Sequence, residues 1–172
     1  MKVKNVQWQL FPKSMEISSS LSEVVKAFEF NHSRIDSHKF DLSSNQVLGI
    51  VANNLVECGF KIEKSKIKED KIKIPVLFGR NGLLEKSFDA DGYNSDTRTV
   101  IEVEAGRGVV NNQFLKDLFQ ACMMNNVDNL IIAVRMTYKK NHDFDTVLRF
   151  FDTLYVSGRL VLPLKSILII GY

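Results

Sequence analysis

A chain of 172 residues, 45% hydrophobic and 25% charged, has the composition of one globular domain, which excludes intrinsic disorder, collagen-like repeats and a disulfide scaffold. That length buries roughly 70% of the surface exposed on unfolding, so no covalent staple is needed. A formal net charge of +3 permits nucleic acid as a partner without demanding it.

Cys58 and Cys122 are the only cysteines, and His32, His38 and His142 are scattered, so no zinc-ligand spacing arises. Two thiols in a chain of this size fit a reducing cytosol. No stretch approaches the ~20 apolar residues of a membrane span, and Met1 to Ser14 lacks the apolar core of a signal peptide. A cytoplasmic protein without membrane contact is expected.

In chain order, Ser20-Leu21-Ser22-Glu23 matches a capping box, and Leu21, Val24, Val25 and Phe28 follow at helical spacing. A second helix is predicted after Ser43-Ser44, with Val47, Leu48, Val51, Leu55 and Cys58 on one face and Gly59 at its C-terminal cap. From Lys61 to Lys73 lysine and isoleucine nearly alternate, which predicts a hairpin turning at Glu69-Asp70 with Ile62, Ile67, Ile72 and Ile74 on its apolar side. Its six lysines (Lys61, Lys64, Lys66, Lys68, Lys71 and Lys73) form either a solvated edge that resists aggregation or a phosphate-contacting face.

Asn81-Gly82 signals a hairpin turn, with one strand before it and another from Leu84 to Tyr93. Next come a polar turn over Asn94 to Thr97, a strand from Thr99 to Ala105 and a break at Gly106-Arg107-Gly108. A helix over Asn112 to Met124 turns Phe114, Leu118, Ala121 and Cys122 inward. Leu130 to Val134 is apolar enough for a strand covered on both faces. A helix after Asp143 presents Val147, Phe150, Phe151 and Leu154, and a last strand spans Ile167 to Ile170. The whole reads as one α/β domain with a mixed sheet flanked by helices. Residues 1–42 form a helical segment in this reading, and residues 43–172 form the core.

The chemistry concentrates on two strands. Asp89 and Asp91 lie two apart, as do Glu102 and Glu104, so each pair projects to one face while Phe88, Ala90, Ile101 and Val103 form the apolar one. Pairing the strands gathers up to four carboxylates. Acids that close repel one another unless a cation stands between them. A hard cation with oxygen ligands, Mg²⁺ above all, is the economical solution; solvent-facing acids on an amphipathic hairpin are the alternative. The Asp89 to Asp96 stretch does not fit a calcium loop, because Gly92 and Val100 occupy the wrong places.

Asp91-Gly92 followed by Val100-Ile101-Glu102-Val103-Glu104 resembles the signature of the PD-(D/E)xK nucleases. It is similar above all to type II restriction endonucleases of the GATC-core group, which carry Glu-x-Glu where most relatives have an acid-x-Lys element. Phe114-Leu115-Lys116-Asp117-Leu118 and the apolar strand from Asn129 to Arg135 resemble the same group, and the likeness spans Ser87 to Arg135. The resemblance implies a three-layer restriction-endonuclease-like sandwich and a homodimer cutting double-stranded DNA with Mg²⁺, or Mn²⁺ in its place. It makes Asp91 and Glu102 the metal ligands, with the Val103 carbonyl as another. Glu104 orients or deprotonates the attacking water. Glu57 is the candidate for the acid on the preceding helix, and Asp89 is a further acid or a solvated residue.

Arg107, Lys139 and Lys140, the last two in the polar loop Tyr138 to His142, are candidate DNA contacts or plain surface cations. Two other readings share the fold: a DNA-binding or assembly protein without catalysis, and a repair nuclease that acts on DNA structure.

Overall fold

Alternation along three apolar strands determines the layering. In the computed structural model, which describes residues 6–64 and 71–172, Ile101, Val103, Ile131, Ala133, Leu168 and Ile170 pack on one side of a sheet. Val100, Leu130, Ile132, Val134, Ile167 and Ile169 pack on the other. The first side is covered by α1 (Ser19–Ile35) and α2 (Ser44–Glu57), the second by α3 (Gln113–Met123) and α4 (Asp143–Ser157). The protein is thus mixed α/β, with helices on both faces of its sheet.

Among the described residues that sheet has six strands in the order β1 (Gln7–Phe11), β8 (Ser166–Gly171), β7 (Asn129–Val134), β6 (Thr99–Val103), β5 (Gly92–Asn94) and β2 (Lys61–Ile62). The central three run parallel and the outer pairings are antiparallel. β3 (Ile72–Phe78) and β4 (Leu84–Ala90) form a separate two-stranded hairpin around Asn81, whose φ is +58°.

Several local expectations change. The segment over 1–42 is not wholly helical, since β1 pairs with β8 at the edge of the sheet; five residues of Gln-Trp-Gln-Leu-Phe are too short to show a period. α1 is capped by Ser18, whose hydroxyl accepts from the Leu21 N–H, and Glu23 pairs with Lys26 at 2.7 Å instead of closing a box at Ser20. Ser43 and Gln46 do form a capping box on α2. The hairpin expected over Lys61 to Lys73 does not form at its described ends, because β2 joins β5 and β3 joins β4; its turn at Glu69-Asp70 lies outside the described residues.

The strand expected from Leu84 to Tyr93 is broken at Asp91, where the chain leaves one sheet for the other. Phe88 and Ala90 therefore pack on the α3 side, while Ile101 and Val103 face α1 and α2, so these four do not share one apolar face. Gly92 permits the crossing: a Cβ there would stand 2.6 Å from Ile62 Cδ1 and 2.8 Å from Ile101 Cγ2. Among the described residues no helix is long and apolar enough to cross a membrane.

Candidate functional site

Strand alternation places the acids. Gly92 pairs with Ile101, so Asp91 stands opposite Glu102 one step beyond, on the face turned toward α3. There Asp117 projects from the buried side of α3, beside Phe114, Leu118 and Ala121. Asp89, Asp91, Glu102 and Glu104 all line one cleft of about 360 Å³. The structure adds Glu63, Lys71, Lys116, Asp117 and Gln120 to its walls.

Backbone bonds hold the acids in place. The Val103 N–H donates to Asp91 Oδ2 at 2.8 Å, and the Glu63 N–H donates to the Asp91 carbonyl at 2.8 Å. Glu104 is anchored by its own N–H to the Ala133 carbonyl at 2.8 Å, and its carbonyl accepts from the buried Tyr172 hydroxyl at 2.9 Å. Gly108 leaves room for its side chain; a Cβ would fall 2.1 Å from Glu104 Oε2 and 3.1 Å from Glu104 Cβ.

Removal from water shifts these groups toward neutrality. Burial pushes Asp91 up to about 6, and the charges of Glu63 and Asp117 add to this, while the Val103 N–H and Lys71 oppose it. Glu102 is raised well above the ordinary carboxylate range, first by burial and then by Asp91 and Asp117. Glu104 is pushed to about 9 by burial, by hydrogen bonding to Asp117 and by the Asp117 and Asp91 charges. Asp117 is itself raised by burial, with the Glu104 hydrogen bond and Lys116 working the other way. Its Oδ2 is buried and meets no N–H or hydroxyl donor among the described residues. Burial and their mutual interaction thus favour a proton on the Glu104–Asp117 pair.

Cations sit around the rim. Lys71 reaches Glu63 at 3.3 Å and Asp89 at 3.4 Å, and Lys116 is exposed on the same wall. The donor set is all oxygen, with no His or Cys among the residues lining the cleft. Among the described residues no three His, Cys, Asp or Glu side chains stand together as a ready-made metal cage. Mg²⁺ needs only one or two carboxylates, completing its shell with water and substrate phosphate. Asp91 and Glu102, opposed across the β5–β6 junction, are the two carboxylates here that could hold such an ion.

Other expected residues lie elsewhere. Glu57 is exposed at the end of α2 in a groove against α1, accepting from Asn54 Nδ2 at 3.3 Å, and does not line the cleft; its helical phase turns it from the sheet. Arg107 is exposed outside the cleft lining. Lys139 lies over the Tyr138 ring at 5.4 Å, and Lys140 borders a separate groove with Asn112, His142 and Arg149. Asp117 was discoverable in principle, being a carboxylate among the inward positions of an amphipathic helix. Glu63 carried no such signal within its run of lysines.

No family model matches the chain, and neither does any curated protein or solved structure.

Proposed function

We propose that this chain is a Mg²⁺-dependent endodeoxyribonuclease of the type II restriction endonuclease kind, with Mn²⁺ as a possible substitute. The observation that carries the reading is the convergence of Asp91, Glu102, Glu104 and Asp117 in one polar cleft, at the strand ends where the motif resemblance requires an acid site. Holding like charges together out of water is costly, and a cation relieves that cost.

In this reading Asp91 and Glu102 hold the ion. An ion held there would supply polarisation of a scissile phosphate, a lowered pKa of water and neutralisation of the leaving oxygen. Glu104 gives up its proton when a divalent charge lies nearby, and its freed carboxylate then takes a proton from the attacking water. Before that proton leaves, hydrogen bonding between Glu104 and Asp117 positions the Glu104 carboxyl. Glu104 stands where most relatives carry lysine, and Lys116 on α3, which faces the same cleft, supplies the positive charge that Glu104 cannot. Arg107, Lys139 and Lys140 are free to contact the phosphates of a duplex, being exposed and, among the described residues, outside any ion pair.

The test is incubation of plasmid and bacteriophage DNA with Mg²⁺ or Mn²⁺, using the wild-type chain and Glu102→Ala. Discrete fragments from the wild type alone support a sequence-specific nuclease. A smear abolished by the substitution supports cleavage without strong sequence choice. Intact DNA with both proteins transfers the reading to a non-catalytic DNA-binding protein.

A further inference from the structure

The parallel strands bring two helix starts together. α3 follows β6 and α4 follows β7, and both helices pack on the same face of the sheet, so their N-termini lie outside the carboxyl ends of those strands. A helix start leaves its first N–H groups without intrahelical partners. Neither start is closed by a side chain here: Asn112 before α3 and His142 before α4 make no capping hydrogen bond. A groove of about 490 Å³ has Asn112, Lys140, His142, Asp143 and Arg149 in its walls. Lys140 and Arg149 are exposed and, among the described residues, outside any ion pair. Asp143 stands out. It is 2% exposed, and its Oδ1 is buried without a hydrogen-bond donor among the described residues. The neighbouring cation Arg135 donates instead to Asp41 and to the Leu42 carbonyl.

We propose that this groove binds a nucleoside phosphate, with the phosphate held at the two helix starts by Lys140 and Arg149 and the base donating an amino hydrogen to Asp143. The groove makes two demands, and together they select that class. Uncapped helix starts and two unpaired cations call for an anion. A buried carboxylate oxygen without a donor calls for an N–H. Inorganic phosphate meets only the first demand and a simple amine only the second. A nucleotide meets both, since adenine, cytosine and guanine each carry an exocyclic amino group at a distance from the phosphate. That distance matters, because Asp143 repels a phosphate placed directly against it. Val110, 52% exposed in the same wall, offers the base an apolar contact, and the volume lies within the range of small-molecule sites. None of these residues lines the acid cleft, so the site stands whether or not that cleft cuts DNA. The nucleotide is either free or one unit of a strand.

Isothermal titration of dAMP, dCMP and dGMP into the full chain, without divalent ions, tests this independently of cleavage. The controls are inorganic phosphate and purine deoxyriboside 5′-monophosphate, whose base has no N–H. At least one amino-bearing nucleotide is expected to bind at one site, at least about 10-fold more tightly than either control. Lys140→Ala and Arg149→Ala are each expected to weaken that binding about 10-fold, and Asp143→Ala to reduce it to the level of the purine control. Arg34→Ala, which removes the same charge from the exposed side of α1, leaves it unchanged. Melting curves confirm that each variant folds. A short oligonucleotide titrated into the wild type and Arg149→Ala separates the two sources: a matching loss of affinity identifies a strand unit, and an unchanged affinity identifies a free nucleotide. Absence of nucleotide binding in the wild type overturns the proposal. So does binding that survives both cation variants, or that does not distinguish amino-bearing bases from the purine control. Nuclease activity without nucleotide binding removes this site and leaves the acid cleft standing; the opposite result does the reverse.

Discussion

The Asp91 carboxylate accepts a hydrogen bond from the Val103 N–H at 2.8 Å, tying the point where the chain changes sheets to the strand that carries Glu102. The same residue is thus a structural clasp and one wall of the acid cleft. Its neighbours show the cost of that dual use: Asp91, Glu102, Glu104 and Asp117 are all shifted toward the protonated form.

A pH dependence follows from those shifts. Asp91 titrates at about 6 in the folded chain against an ordinary 3.8, and Glu104 at about 9 against 4.5. The folded state holds these protons more tightly, so their stabilisation is full below the ordinary values and lost as pH rises through the folded ones. Thermal melting in chelator should therefore show Glu104→Gln gaining on the wild type between pH 5 and about pH 9. Parallel curves for the two proteins would remove the buried-acid account of Glu104.

After burial, Asp117 contributes most to the raised proton affinity of Glu104. Replacing it by Asn keeps a hydrogen-bonding partner and deletes a negative charge, which lowers the Glu104 pKa. If Glu104 takes the proton from water, the rising limb of the cleavage rate against pH should move to lower pH by about one unit. An unmoved limb would assign that proton transfer to another group.

Gly108 tests the packing around Glu104. In Gly108→Ala the new Cβ meets Glu104 at both Oε2 and Cβ, so the carboxylate must swing away from its place. A stability loss of about 1 kcal/mol is expected. The accompanying loss of cleavage should exceed ten-fold at a temperature where the variant is fully folded, measured as single-turnover rate.

Arg135 is a structural cation by contrast. It is 5% exposed, donates to Asp41 Oδ1 at 2.6 Å and to the Leu42 carbonyl, and stacks on the Tyr138 ring at 5.0 Å. Arg135→Ala should cost about 3 kcal/mol in urea unfolding. Asp41→Asn should cost less than half of that, because Asp41 is 85% exposed.

Much of the fold was legible in the sequence because its elements are strongly periodic. Val47, Leu48, Val51 and Leu55 on α2, the apolar run of β7 and the Asn81-Gly82 turn each stand where the pattern predicts. The short strand β1 was not legible, and neither was the split between β2 and β3, because pairing partners are chosen by tertiary contact, not by local period. At the site, the motif acids Asp91, Glu102 and Glu104 were readable from spacing. Glu63, Lys71, Lys116 and Asp117 join them only through the sheet change at Asp91 and the packing of α3. Glu57 was misplaced because a helix preceding the strands did not reveal which of its faces meets the cleft.

The central claim is that Asp91 and Glu102 oppose each other in order to hold a divalent cation. Isothermal titration of Mg²⁺ into the chelator-stripped chain tests it, with Asp91→Asn and Glu102→Gln measured alongside and melting curves to show that both fold. The account predicts saturable binding at one site in the wild type, with release of protons, and its loss in both variants. Absence of binding in the wild type, or binding that persists unchanged in both variants, would contradict it.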